Sequence, residues 1–138
     1  MPHDTPPIVL SYRRGDAAGH ARALTEALER RFGPGSVFID VDDLAAGEDF
    51  EQRLGQALRA AKAVLVLIGP GWRGERAAPA GAAPRLFDAD DPVRREVVTA
   101  LAAGVPVLPV LLDGTPMPTA DALPPDLQVL PRRHALGL

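Results

Sequence analysis

Arg13 and Arg14 stand side by side directly after IVLSY, an apolar run that ends in the chain's single tyrosine, Tyr12. Two adjacent guanidiniums at the carboxyl end of a strand suit a phosphate or pyrophosphate, which arginine grips through paired N–H bonds. The competing use is solvation, or pairing with Asp16 and nearby carboxylates. Asp40, Asp42 and Asp43 form an acidic cluster further along. Three acids invite a divalent cation, but a phosphoacceptor site on an alternating α/β chain needs an acidic pair after the first strand and an aspartate ending the third. Tyr12-Arg13 and Ile68-Gly69 occupy those places. Asp40 is left to accept hydrogen bonds from a ribose or to brace its loop.

Glu96 is the most informative acid. Val93, Val97, Ala100 and Leu101 mark the apolar stripe of a helix starting near Asp91-Pro92, and Glu96, about 60° round from Val93, is expected at the border of that stripe. It lies close to the helix N-terminus, whose partial positive charge favours an ionised carboxylate. Such a group in a crevice can stabilise positive charge in a reaction, as glycosidase carboxylates do, or it can simply favour the helix. Trp72, the only tryptophan, can stack on a base or cap the end of the sheet. Tyr12 can fill core or line a cleft, and Phe50 opens a helix on the side facing the acidic loop. His3, His20 and His134 are too scattered to form a ligand set, so no metal site is expected. Ser11 has no nucleophile elbow around it, and SYRRGDAAG is neither a dinucleotide fingerprint nor a phosphate loop.

The elements that must position these groups follow from the hydrophobic pattern. The 138 residues suit one domain, and 46% hydrophobic against 24% charged residues is enough for a core. Fifteen basic and eighteen acidic residues give a net charge of −3, so no long-range basic field draws nucleic acid or an anionic membrane. Cysteine is absent, which suits the cytosol and removes thiolate chemistry. MPHDTPP has no signal-peptide character, and no apolar stretch approaches the roughly 18 residues of a membrane span. Strands are expected at IVLSY, SVFID, AVLVLI and VPVLPVLL, with a fifth at RRHALGL. AVLVLI contains no polar residue, as expected of a parallel strand covered on both faces. Pro106 and Pro109 argue for a position near the sheet edge or an irregular ladder.

Helices are expected from His20 through Phe32, from Phe50 with Asp49 as N-cap, and around Val93 to Leu101, with one helical turn in LPPDLQVL. RRGDAAG and residues 41–48 and 69–91 are expected as loops. This alternation predicts a flavodoxin-like α/β domain: a five-stranded parallel sheet in the order 2-1-3-4-5, with helices on both faces and a ligand site at the carboxyl ends of strands one and three.

Taken together, IVLSYRRGDAAG, SVFIDVDDLAAGEDFEQRL, AVLVLIGPGW, DDPVRREVVTAL and VPVLPVLLDG resemble a Toll/interleukin receptor (TIR) domain of the bacterial, NAD-cleaving branch, in the family's order and over most of residues 8–114. The resemblance implies a hydrolase that cleaves the bond between nicotinamide and ribose of NAD+, with Glu96 as the catalytic residue. It further implies that Tyr12, Arg13, Arg14, Asp40, Leu44 and Phe50 line the substrate site, to which Trp72 is added as the stacking candidate. NAD+ is then the substrate and no cofactor is needed. Other implications are a cytoplasmic oligomer assembled through TIR contacts, a role in bacterial defence or signalling, and a C-terminal sensor or effector domain in a longer protein. Water as the nucleophile gives ADP-ribose, and an internal nucleophile gives a cyclic isomer. The chain departs from the family at Pro92, where many members carry an aromatic four residues before the glutamate, and in stopping before the final helix. The rival readings are a non-catalytic TIR interaction module and a nucleotide-sensing domain of the same fold.

Overall fold

The computed structural model describes residues 8–38, 50–75, 81–133 and 135–137. Five strands, β1 (Ile8–Ser11), β2 (Val37–Phe38), β3 (Ala63–Ile68), β4 (Val107–Leu111) and β5 (Leu136–Gly137), form one sheet in the order β2-β1-β3-β4-β5. Every pairing is parallel, with Ile8 beside Val37 and Ala63, Val64 beside Val107, and Val110 beside Leu136. The unbroken apolar sequence of β3 is explained by its neighbours. Val64, Val66 and Ile68 enter the larger core cluster with Leu58, Val97 and Leu127, while Leu67 packs with Ala17, Ala21, Val110 and Leu112 in a second cluster. A strand covered on both faces has no solvent side on which a polar residue is favoured.

Among the described residues three α-helices cover the sheet: α1 (Arg14–Phe32), α2 (Phe50–Ala60) and α3 (Pro92–Ala102). Ala17 and Ala21 bring α1 onto the smaller cluster, and α2 and α3 pack together over the larger one. The stretch after β4 forms three 3₁₀ turns, Ala120–Ala122, Pro125–Leu127 and Leu130–Arg132, whose Leu123, Leu127 and Leu130 close the larger core.

Three details differ from the sequence expectation. RRGDAAG is the start of α1 and not a loop, with the backbone N–H groups of Asp16 and Ala17 donating to the Arg13 carbonyl at 2.9 and 3.0 Å. Its glycines left no apolar period to read, and the helix is kinked there, with Ala17 at φ −139°. Phe32 is 55% exposed; it ends α1 beside Arg31, whose guanidinium lies 5.9 Å from the ring centre. Finally β4 is shorter than 105–112. The Leu112 N–H donates to the Ile68 carbonyl, so by alternation Pro109 turns its donorless nitrogen toward β5. The β5 ladder starts only opposite Val110, and Pro109 therefore removes no ladder bond.

Candidate functional site

The carboxyl ends of β1 and β3 and the N-terminus of α3 converge, and a buried ion pair joins them. Asp91 is the N-cap of α3, with its side chain accepting from the Arg94 N–H and Pro92 at the first helical position. It is fully buried. Arg13 reaches it from the end of β1, 78 residues away in sequence: Nη1 donates to Oδ1 at 2.9 Å and Nη2 to Oδ2 at 2.7 Å. The third donor, Nε, bonds the Trp72 carbonyl at 2.8 Å. One guanidinium thus ties β1, the loop after β3 and the cap of α3 together, in the paired geometry that arginine and carboxylate share.

The same loop is held a second time. The Asp16 carboxylate accepts from the Gly69 N–H at 2.9 Å and the Gly71 N–H at 2.7 Å. A Cβ at Gly69 would stand 2.7 Å from both carboxylate oxygens, so the close approach depends on glycine. Gly74, at φ +80°, has the same function for Arg13. A Cβ there would meet the Arg85 Cβ at 2.8 Å and the Arg13 Cζ at 3.0 Å. Sequence reasoning missed Asp16, Asp91 and Gly74 as positioning residues. GPG after an apolar strand, and an aspartate directly before a proline, are the signals that could have pointed to them.

Glu96 lies about one turn into α3 from Pro92, on its buried side. It is 5% exposed and shares the buried side of the helix with Val93, Val97 and Ala100. The border position expected from 100° steps is corrected to one within the stripe, because a core-facing stripe is wider than about 100° and takes in a residue 60° from Val93. The helix contacts β1, β4 and α2, and its start is tied to the carboxyl end of β1 by the Arg13–Asp91 pair. Asp91, Pro92 and the cap geometry fix the start of that helix as expected.

The other sequence candidates divide. Tyr12 is partly buried against the smaller cluster, and Arg14 is exposed in the first turn of α1. Phe50 opens α2 as expected. Asp40 and Leu44 lie outside the described residues, as do the Asp49 cap and the whole 41–48 loop. Two assignments are corrected. The Arg13 guanidinium is committed to Asp91 and the Trp72 carbonyl, so it is not available for a phosphate. Trp72 is 1% exposed and belongs to the larger core with Ile68, Leu86 and Val93, so its ring is core packing and not an exposed stacking platform. A cleft of about 620 Å³ opens at the carboxyl ends of β3 and β4, between Gly69-Pro70 and residues 113–119. Trp72 and Arg73 are among its lining residues, whereas Tyr12, Arg14 and Glu96 are not.

Residues 8–134 match the family model of the TIR domain. The chain belongs to the TIR domain family. It is 31% identical over 124 residues to NAD(+) hydrolase sarm1 of Drosophila melanogaster, an alignment covering 88% of this chain and 8% of that protein. The chain therefore spans only a small part of the length of that relative. Among solved structures, the TIR domain of the Toll-related receptor TRR-2 from Hydra magnipapillata superposes with a TM-score of 0.62 at 16% identity, covering 96% of this chain and 84% of that one. The TIR domains of the activated Roq1 resistosome superpose at 0.53 with 18% identity, over 91% and 68%. Both likenesses agree with the flavodoxin-like TIR fold described above. Among the described residues, no helix is long and apolar enough to cross a membrane.

Proposed function

We propose that this TIR domain is an NAD+ nucleosidase that breaks the bond between nicotinamide and ribose, with Glu96 as its catalytic residue. The observation that carries the reading is the burial of the Glu96 side chain on a helix whose start is fixed at the carboxyl end of β1 by a buried ion pair. Enclosing a carboxylate costs solvation, a cost that a role in the chemistry would justify. The 31% identity to an NAD(+) hydrolase supports the same substrate.

The chemistry needs no acid to protonate the leaving group, because nicotinamide departs from NAD+ as a neutral molecule carrying the electron pair of the glycosidic bond. Positive charge then develops at the anomeric carbon and ring oxygen of the ribose. A fixed Glu96 carboxylate stabilises that charge, and a preorganised group in a site shielded from water acts more strongly than one in bulk solvent. Attack by water at the anomeric carbon forms a carbon–oxygen bond, releases one proton and gives ADP-ribose. Attack by a nitrogen of the same molecule's adenine gives a cyclic isomer. Arg14, at the exposed start of α1, is assigned to the pyrophosphate; Tyr12, Asp40, Leu44 and Phe50 are assigned to the remainder of the pocket. Assembly with further TIR domains, completing the pocket with the loop after β2, is the proposed switch, in line with the resistosome in which one structural neighbour occurs. A cytoplasmic role in defence or signalling, within a longer protein that carries a sensor or effector domain, belongs to the same proposal.

The alternative is a TIR interaction module without catalysis. Pro92 favours it: this exposed helix-start residue leaves the pocket without the aromatic wall four residues before the glutamate. Nicotinamide release by wild type and Glu96→Gln separates the two readings, since only the enzyme loses an activity on substitution.

A further inference from the structure

We propose that Arg13 and Asp91 act as a positioning pair for Glu96, setting turnover and not substrate affinity. The inference rests on the reading of Glu96 as the catalytic residue. Asp91 caps α3 five residues before Glu96, which places the glutamate about 7.5 Å further along the helix axis. Whatever fixes the cap fixes the height and rotation of α3, and with them the direction of the Glu96 side chain. The cap is fixed from outside the helix. Arg13 holds both oxygens of Asp91 at 2.9 and 2.7 Å and holds the Trp72 carbonyl at 2.8 Å. Its own backbone sits two residues beyond β1, the strand that α3 packs against.

The charges are well enclosed, with 13% of the arginine side chain and none of the aspartate exposed. A fork-to-fork pair fixes distance and angle together, which a single ammonium contact does not. The second partner of Asp91 is weaker: Arg85 Nε stands 3.8 Å away on a side chain that is 46% exposed. Gly74 leaves the space through which the Arg13 guanidinium passes. An arginine at the end of a strand beside the expected substrate site thus acts through the helix cap and not on the ligand.

The test uses two conservative variants whose folding is checked by melting temperature, with turnover normalised to folded protein. Arg13→Lys keeps the charge and loses the fork. Asp91→Asn keeps an N-cap acceptor, since asparagine caps as well as aspartate, and loses the ion pair. Misplacement of a reacting group by about 1 Å is worth about 100-fold, so each variant is expected to lower kcat by about 10- to 100-fold with KM for NAD+ within about threefold. The double variant should lose little more than either single one, because both break the same contact. A second readout does not depend on activity. The NMR resonance of the Glu96 side-chain carboxyl, assigned by its loss in Glu96→Gln, should shift in both variants.

Unchanged kcat together with an unmoved carboxyl resonance would overturn the proposal and leave the pair a structural staple. A raised KM at constant kcat in Arg13→Lys would overturn it differently, by making Arg13 a substrate contact. Should the wild type release no nicotinamide, or Glu96→Gln turn over like wild type, the fault lies with the catalytic reading. The carboxyl resonance then decides alone whether the pair positions Glu96.

Discussion

In the proposed function Arg14 takes the phosphate role that the Arg13–Asp91 pair leaves open. The two arginines are neighbours in sequence, but one guanidinium is buried in a three-bond clamp and the other stands exposed at the start of α1. Their substitutions should therefore separate. Arg14→Ala should raise KM for NAD+ by about 10- to 150-fold, the equivalent of a charge-assisted bond of about 1.5 to 3 kcal/mol, with kcat little changed. Steady-state kinetics check this, and an unchanged KM would remove Arg14 from the substrate site. Gly74 belongs to the same scale. Gly74→Ala puts a side chain at φ +80° and within 3.0 Å of two neighbouring side chains, so it should destabilise the domain by about 1 to 3 kcal/mol. Denaturant unfolding measures the loss, and a wild-type midpoint would show that the clamp tolerates the methyl group.

At the scale of elements, β3 is the member on which both cores depend. Leu67 is fully buried on the α1 side and Val66 on the α2–α3 side. Leu67→Ala should therefore cost about 2 to 5 kcal/mol, read as a lowered melting temperature. A loss below 1 kcal/mol would mean that the α1 layer packs less firmly on the sheet than its buried residues imply. The central strands and α3 were legible because each carries a continuous apolar run or a stripe at helical spacing, and Asp91-Pro92 marked the start of α3. The first turn of α1 was not, since RRGDAAG has no apolar period and is held by long-range bonds from Asp16 to Gly69 and Gly71. Arg13 was misassigned for a related reason. Its partner is 78 residues away, and no local pattern distinguishes a guanidinium that meets a phosphate from one that meets a carboxylate. Trp72 was ambiguous for want of neighbours in the sequence, and it became core once Leu86 and Val93 came beside it.

For the molecule as a whole, the strand order was readable because alternating strands and helices with right-handed crossovers leave few arrangements. The site is legible on one side only, where β1, β3 and α3 meet. Residues 39–49, which the proposed function assigns to the remainder of the pocket, lie outside the described residues. If a neighbouring TIR domain completes the pocket, nicotinamide release per protomer should rise with protein concentration, or with any agent that promotes assembly, because a partner surface offsets the entropy of ordering a loop. Specific activity that stays flat while light scattering reports growth of the assembly would contradict this and make each domain self-sufficient.

The central claim is that the buried Glu96 carboxylate carries the chemistry, and nicotinamide release by matched assemblies of wild type and Glu96→Gln tests it most directly. Glutamine preserves the size of the side chain and removes its charge. An electrostatic contact made mainly in the transition state is worth about 3 to 4 kcal/mol, so turnover should fall at least about 100-fold. NAD+ binding, measured by titration, should change little, and melting temperature and oligomeric state should confirm that the two samples are comparable. Equal turnover in the two proteins would remove Glu96 from the mechanism and make the interaction module the better account of this domain.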